Sequence, residues 1–208
     1  MTSEVRLPGR QAQAARNDTA VLAAARRVFI REPAAPISAV ATEAGVGISA
    51  LYKRYASKEE LLRTLCTEGL ERFSEIARSA LEIEDPWDGL TAFVTGIVEA
   101  DVHSLTVKLA GTFTPTPEMH QLAGDSSELS RQVFSRAHEA KVVRADLEVN
   151  DLVMIFEQVA AIRLGDDERT RALRRRYLAL HLDSIREGGA VPEHPPTDAE
   201  LGQRWQPK

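Results

Sequence analysis

Residues 35–62 read APISAVATEAGVGISALYKRYASKEELL. Ile37, Val40, Ala41 and Ala44 fall on one side of a short helix over 37–44. Gly45-Val46-Gly47 makes a tight turn, and a second short helix runs from Ile48 to Tyr55. Ser57-Lys58-Glu59-Glu60 is a capping box, in which the Ser57 hydroxyl accepts from the Glu60 amide and Glu60 reaches back. It opens a longer helix carrying Leu61, Leu62, Leu65, Leu70, Phe73, Ile76 and Leu81. Two short helices about a glycine turn, flanked by a third helix, make a helix-turn-helix, whose second helix is shaped for a major groove. Within 48–55, Leu51 and Tyr55 are the inward pair, four residues apart. Ile48, Ser49, Ala50, Tyr52, Lys53 and Arg54 are the outward set, and the first three are small or aliphatic enough to approach base edges.

Upstream, Asn17 or Asp18 can cap a helix through Val21, Leu22, Ala25, Val28 and Phe29, stopped by Pro33 and Pro36. Residues 1–15 read as a disordered basic arm. Downstream the pattern stays helical. Trp87, Leu90, Phe93, Val94, Ile97, Val98 and Val102 share one helix after Pro86, and a break falls near Thr112–Pro117. Asp125-Ser126-Ser127-Glu128 reads as a second capping box. Leu152, Ile155, Phe156, Val159 and Ile162 mark the next helix, and Leu173, Tyr177, Leu180 and Ile185 the last, stopped by Gly188-Gly189. Residues 189–208, rich in Pro, Gly and charge, read as a disordered tail. No run alternates with period two, so the fold class is all-α. The expected organisation is an arm over 1–15, a DNA-binding domain over 16–76 with its helix-turn-helix at about 36–55, a second helical domain over 77–188, and the tail.

Charge separates the two parts. The net charge is −5 over 208 residues. Residues 1–58 carry nine basic and four acidic residues, a net of +5, and the rest 17 basic and 27 acidic, a net of −10. A basic head on an acidic body suits a phosphate backbone. No apolar run is long enough to span a membrane and the first twenty residues lack the apolar core of a signal peptide. The one cysteine, Cys66, cannot form an internal disulfide. These features lead to an expectation of a cytoplasmic protein with no membrane partner.

The residues of 35–62 resemble the N-terminal domain of the TetR/AcrR family. The matching features are Val40-Ala41, Ala44-Gly45-Val46, Leu51-Tyr52, Tyr55, and Ser57-Lys58-Glu59 leading into Leu61-Leu62, with Ala24-Ala25 and Phe29 fitting the family's first helix. The likeness covers about 60 residues at many fixed spacings, a far more specific signal than one short motif. It implies that Tyr52 and Lys58 contact phosphates, that Ile48, Ser49 and Ala50 read bases, and that Arg54 reaches a phosphate or a guanine. Pro33 stands where the family often has Gly, Pro36 and Ile37 where a Ser or Thr often caps, and Ala50 where Thr is frequent. Ser38 is then the nearest hydroxyl for capping or phosphate contact. Ile48 and Ala50 can touch only apolar groups such as thymine methyls, so readout leans on Lys53, Arg54 and DNA shape. Arg6, Arg10 and Arg16 of the arm are candidates for a minor groove.

The resemblance also implies a C-terminal ligand-binding and dimerisation domain. The dimer would use the last two helices, about 148–164 and 167–187, as a four-helix interface. Candidate walls for a small-molecule pocket are Phe93, Ile97, Val98, Val102, Leu109, Phe113, Phe134 and Phe156, with His103 or His138 as polar anchors. The alternative for the eight apolar residues is plain core. The function implied is a sequence-specific transcriptional regulator, a repressor released from a palindromic operator by a small-molecule effector. The alternative is a helical small-molecule-binding protein or enzyme on a regulator-like scaffold. No nucleophile–base pair supports an enzyme. Gly124-Asp125-Ser126 lacks the preceding strand that a nucleophile elbow needs. His103, His120 and His138 lack a metal-binding spacing, so no metal or cofactor is expected. Glu99 and His103, four apart, are expected on one helix face. The run Arg169, Arg171, Arg174, Arg175, Arg176 is expected to face solvent, and Cys66 to be a buried small hydrophobe.

Overall fold

A computed structural model describes residues 9–186, 191–203 and 205, with side chains from residue 18 onward except at 106 and 107. Arg6, Gly188-Gly189 and the side chains of Arg10, Arg16 and Asn17 lie outside the described residues. Ten helices and no strand occur among the described residues. The chain separates into two compact units, Met1–Leu65 and Cys66–Lys208, inside one helix and ahead of the boundary expected after residue 76. The reason is that Phe73, Ile76, Ala77, Ala80 and Leu81 already pack in the second unit's core.

The first unit contains α1 (Gly9–Arg31), α2 (Ile37–Ala44), α3 (Ile48–Arg54) and the start of α4 (Lys58–Leu81). α1 begins earlier than expected, and the supposed arm is helical from Gly9. Gln11-Ala12-Gln13-Ala14-Ala15-Arg16 is made of strong helix formers, and that propensity outweighs the missing apolar period. Asp18 is therefore inside the helix and caps nothing. Ala24, Ala25, Phe29, Val40, Leu51, Leu61, Leu62 and Leu65 are almost wholly buried. Glu43 joins α2 to α1 by accepting from Arg27 Nε at 2.8 Å and Arg31 Nη2 at 2.9 Å. Those two guanidiniums hold the Glu43 carboxyl below its ordinary pKa of 4.5.

The second unit adds α5 (Pro86–Glu99), α6 (Val102–Leu109), α7 (Pro117–Glu139), α8 (Val149–Ala161), α9 (Asp167–Arg186) and α10 (Asp198–Gln203). Asp85 caps α5 through the Asp88 amide at 2.9 Å, and Thr116 caps α7 through the Met119 amide at 3.3 Å. Phe93 is the centre of the core, edge-on to Phe73 at 5.3 Å and to Phe156 at 6.0 Å between ring centroids. Gly96 admits Ile76 so closely that an added Cβ would lie 2.7 Å from its Cγ2.

Five local expectations are corrected here. Val102 does not continue α5, because Asp101 takes a left-handed φ of 49° and starts a new helix, so Glu99 and His103 are on different helices. Asp tolerates that conformation through its short polar side chain. The Asp125–Glu128 box opens nothing: it lies inside α7, where buried Ser126 donates to the Leu122 carbonyl at 2.8 Å and meets Ser74 Oγ at 2.9 Å. Ile162 ends α8 in an extended conformation instead of continuing it. Tyr177 and Leu180 on α9 are 45% and 53% exposed, and the inward face is Leu173, Arg174, Leu178 and Ile185. Finally, part of the tail is ordered. Asn150 Nδ2 donates to the Pro196 carbonyl at 2.8 Å and to Asp198 at 3.0 Å, and Thr197 and Glu200 form a reciprocal cap at the start of α10. Asn150 and Pro196 are 46 residues apart, a contact that sequence spacing does not show.

Candidate nucleic-acid interface

The turn before α3 depends on Gly45, whose φ of 67° closes α2, with the Val46 amide donating back to the Ala41 carbonyl at 3.0 Å. That conformation strains any residue with a Cβ. α3 then puts Leu51 (1% exposed) into the core, and Tyr55 (4% exposed) follows it there in an extended conformation. Outside the core Ile48 and Tyr52 are 39% and 49% exposed, and Ser49, Ala50, Lys53 and Arg54 are exposed with them.

The basic side chains divide by orientation. Arg54 Nη2 is paired to Asp18 Oδ2 at 2.7 Å, which tethers the end of α3 to α1. Lys58 is half-buried. Its Nζ donates to the Pro33 carbonyl at 2.9 Å and lies 5.1 Å from the Phe29 ring centroid. Burial pulls this ammonium below the usual lysine range, partly offset by the Glu32 charge. Lys53 carries no ion pair among the described residues and extends outward. Ser38 is exposed in the first turn of α2, and its carbonyl accepts from Thr42 Oγ1 at 3.1 Å. At the start of α4, Ser57 Oγ accepts from the Glu60 amide at 3.1 Å, and Glu60 reaches back to the Ala56 amide at 2.7 Å. Reading the sequence missed both the Arg54–Asp18 pair and the inward turn of Lys58, since each joins segments distant along the chain.

A family profile described as bacterial regulatory proteins, tetR family, matches residues 21–65, the stretch just built up from its side chains. Over those residues the chain resembles the DNA-binding domain of TetR-family regulators. The chain is similar in fold to a TetR transcriptional regulator of Streptomyces coelicolor, at 26% identity over 83% of this chain and 99% of that one, with a TM-score of 0.56. The regulator PfmR of Thermus thermophilus is 22% identical over 81% and 96% of the two chains, with a TM-score of 0.59. LfrR of Mycobacterium smegmatis, solved in complex with proflavine, is 19% identical over 84% and 99%, with a TM-score of 0.57. No curated protein matches the chain. The matched domain and these neighbours together support a DNA-binding transcriptional regulator.

In the regulator's second unit the expected pocket residues do not converge. Ile97, Val98, His103 and Phe156 line a cavity of about 10 Å³. Phe93, Val102 and Leu109 are packed in the core. Phe113 pairs edge-on with Trp205 at 6.0 Å, and Phe134 stacks on His138 at 5.6 Å, with His138 Nε2 donating to the Ala145 carbonyl at 3.2 Å. A cavity this small holds one water at most, against the several hundred Å³ of a drug-sized site. Sequence reading missed Asp101, Ser104, Val159, Ala160 and Arg174 in its wall. Arg174 was expected in solvent and is instead 5% exposed, because the α5–α6 joint and the end of α8 supply its partners. No group of three or more candidate metal ligands occurs among the described residues, and no helix there is long and apolar enough to cross a membrane.

Proposed function

We propose that the protein acts in the cytoplasm as a homodimeric repressor, with no enzymatic activity of its own, whose operator affinity is lowered by a small-molecule effector. The observation that carries this reading is the two-faced α3, with Leu51 in the core and Ile48, Ser49, Ala50, Tyr52 and Lys53 offered outward. In it Ile48, Ser49 and Ala50 meet base edges, Tyr52, Lys53 and Ser38 meet phosphates, and Arg54 exchanges Asp18 for the backbone. Lys58 donates to a phosphate with its remaining protons while bracing the turn at Pro33. Two such helices about 34 Å apart enter successive major grooves of a palindrome.

Dimerisation through α8 and α9 is supported by the apolar outer face of α9, where Tyr177 and Leu180 are exposed. Effector control is supported by a structural neighbour bound to proflavine and by another described as a gamma-butyrolactone receptor. An effector that prefers the conformation with misplaced recognition helices weakens DNA binding by linkage. The near-filled core favours a second reading, a regulator that takes no ligand. Operator selection from random duplexes, followed by footprinting across a metabolite library, separates the two. A palindromic footprint relieved by a metabolite supports the first, and a footprint relieved by none supports the second. Only non-specific affinity, unchanged in Tyr52→Phe with Lys58→Ala, would overturn both.

A further inference from the structure

Arg174, in the wall of the cavity, makes four hydrogen bonds. Arg174 Nη1 donates to Asp101 Oδ1 at 2.6 Å, Nη2 to the Ala160 carbonyl at 2.9 Å and to Ser104 Oγ at 3.3 Å, and Nε to the Ile162 carbonyl at 3.3 Å. The Arg174 side chain is 6% exposed and that of Asp101 33%. The two partners are therefore unequal. The carbonyls at the end of α8 fix the guanidinium from the protein side, and that helix end carries the negative pole of its dipole. Asp101 closes the other side from a single left-handed residue between α5 and α6, within reach of water. Removing Asp101 without replacing its charge leaves a cation buried, which is costly. Exchanging it for another carboxylate keeps the charge balanced and lets Asp101 rehydrate.

We infer that the effector is a small organic carboxylate which takes the place of Asp101 on Arg174 and lays its apolar part against Ile97, Val98 and Phe156. This deepens the effector-controlled reading and rests on it. Arginine suits the task because its planar fork receives both carboxylate oxygens, and the α8 carbonyls hold that fork ready in either state. Ser104 Oγ, almost wholly buried, is a further polar group at the same position. The exchange frees the α5–α6 joint from Arg174, so ligand entry and opening of the filled core are one event.

The test is binding of acetate, butyrate, octanoate and benzoate, each against its neutral amide, by calorimetry and thermal shift on the full-length protein. Asp101→Gly removes the competing carboxylate, and glycine accepts the positive φ without strain. If the native pair is closed at least nine-tenths of the time, its removal tightens carboxylate binding about tenfold. The expected result is that at least one carboxylate, and not its amide, binds the wild type saturably, and that Asp101→Gly binds it about tenfold more tightly. Should Asp101→Gly fail to fold, Asp101→Asn keeps the shape, and the wild-type comparison of acid with amide decides alone. No preference for acid over amide overturns the proposal. So does binding confined to the Asp101 variants, which makes the pair purely structural. Operator binding measured without ligand separates the two levels, since its loss sinks the regulator reading whatever the carboxylates do.

Discussion

Leu51 and Ile48 are three residues apart on α3 and differ sharply in exposure, at 1% and 39%. Leu51 is 1% exposed, and truncation to Ala removes most of its side chain from a small unit with little room to collapse around the hole. Leu→Ala at such sites costs about 2–5 kcal/mol, and about 3 kcal/mol is expected here. Ile48 is 39% exposed, so Ile48→Ala changes stability by less than about 0.5 kcal/mol. Its proposed role is contact with a thymine methyl, and loss of base readout costs about 1–3 kcal/mol of discrimination between operator and mismatched duplex. Urea denaturation followed by far-ultraviolet circular dichroism reads stability, and fluorescence anisotropy at fixed salt reads operator and mismatch affinities. Leu51→Ala should lower the urea midpoint, with operator affinity falling as the head unfolds. Ile48→Ala should leave the midpoint in place and flatten the ratio of the two affinities. If Ile48→Ala destabilises as much as Leu51→Ala, or if it leaves the ratio intact, the two-faced account of α3 is refuted.

Other outcomes follow from the same geometry. Gly96→Ala should cost about 1–3 kcal/mol, because the new methyl meets Ile76 Cγ2 at 2.7 Å, whereas Gly124→Ala in α7 meets nothing within 4 Å and should stabilise by about 0.5–1 kcal/mol; urea midpoints of the two variants check the contrast. The Glu43 carboxyl, held below 4.5 by Arg27 and Arg31, stabilises the head above that pH. This contribution disappears as pH falls through the depressed native value. A carboxyl-detected NMR titration should place its midpoint below 4.5, rising toward 4.5 in Arg27→Ala with Arg31→Ala. Leu180→Glu puts a charge on the exposed stripe of α9 and should yield a monomer by analytical ultracentrifugation without lowering the thermal midpoint of the isolated chain.

The helix-turn-helix was legible because its determinants are local. Gly45 is required by a left-handed turn, the inward residues recur at helical spacing, and Ser57 with Glu60 satisfies amides within one turn of chain. The resemblance to the TetR family was carried by these same residues. Local rules also failed where two of them competed. Residues 9–15 lack apolar periodicity yet are helical by propensity, and the Asp125–Glu128 pattern of a cap is overridden by a helix begun at Thr116.

What the sequence determined by itself was the identity and orientation of α2 and α3, since burial of Leu51 alone decides which face of the recognition helix meets water. What only the tertiary structure decided was where the charges go. Arg54 found Asp18, Lys58 turned to Pro33, and Arg174 left its arginine run for Asp101 and the end of α8. A long cationic side chain reaches several ångströms from its own helix, and its partner is set by which distant segment packs there. Hydrophobic spacing carries no information about that choice.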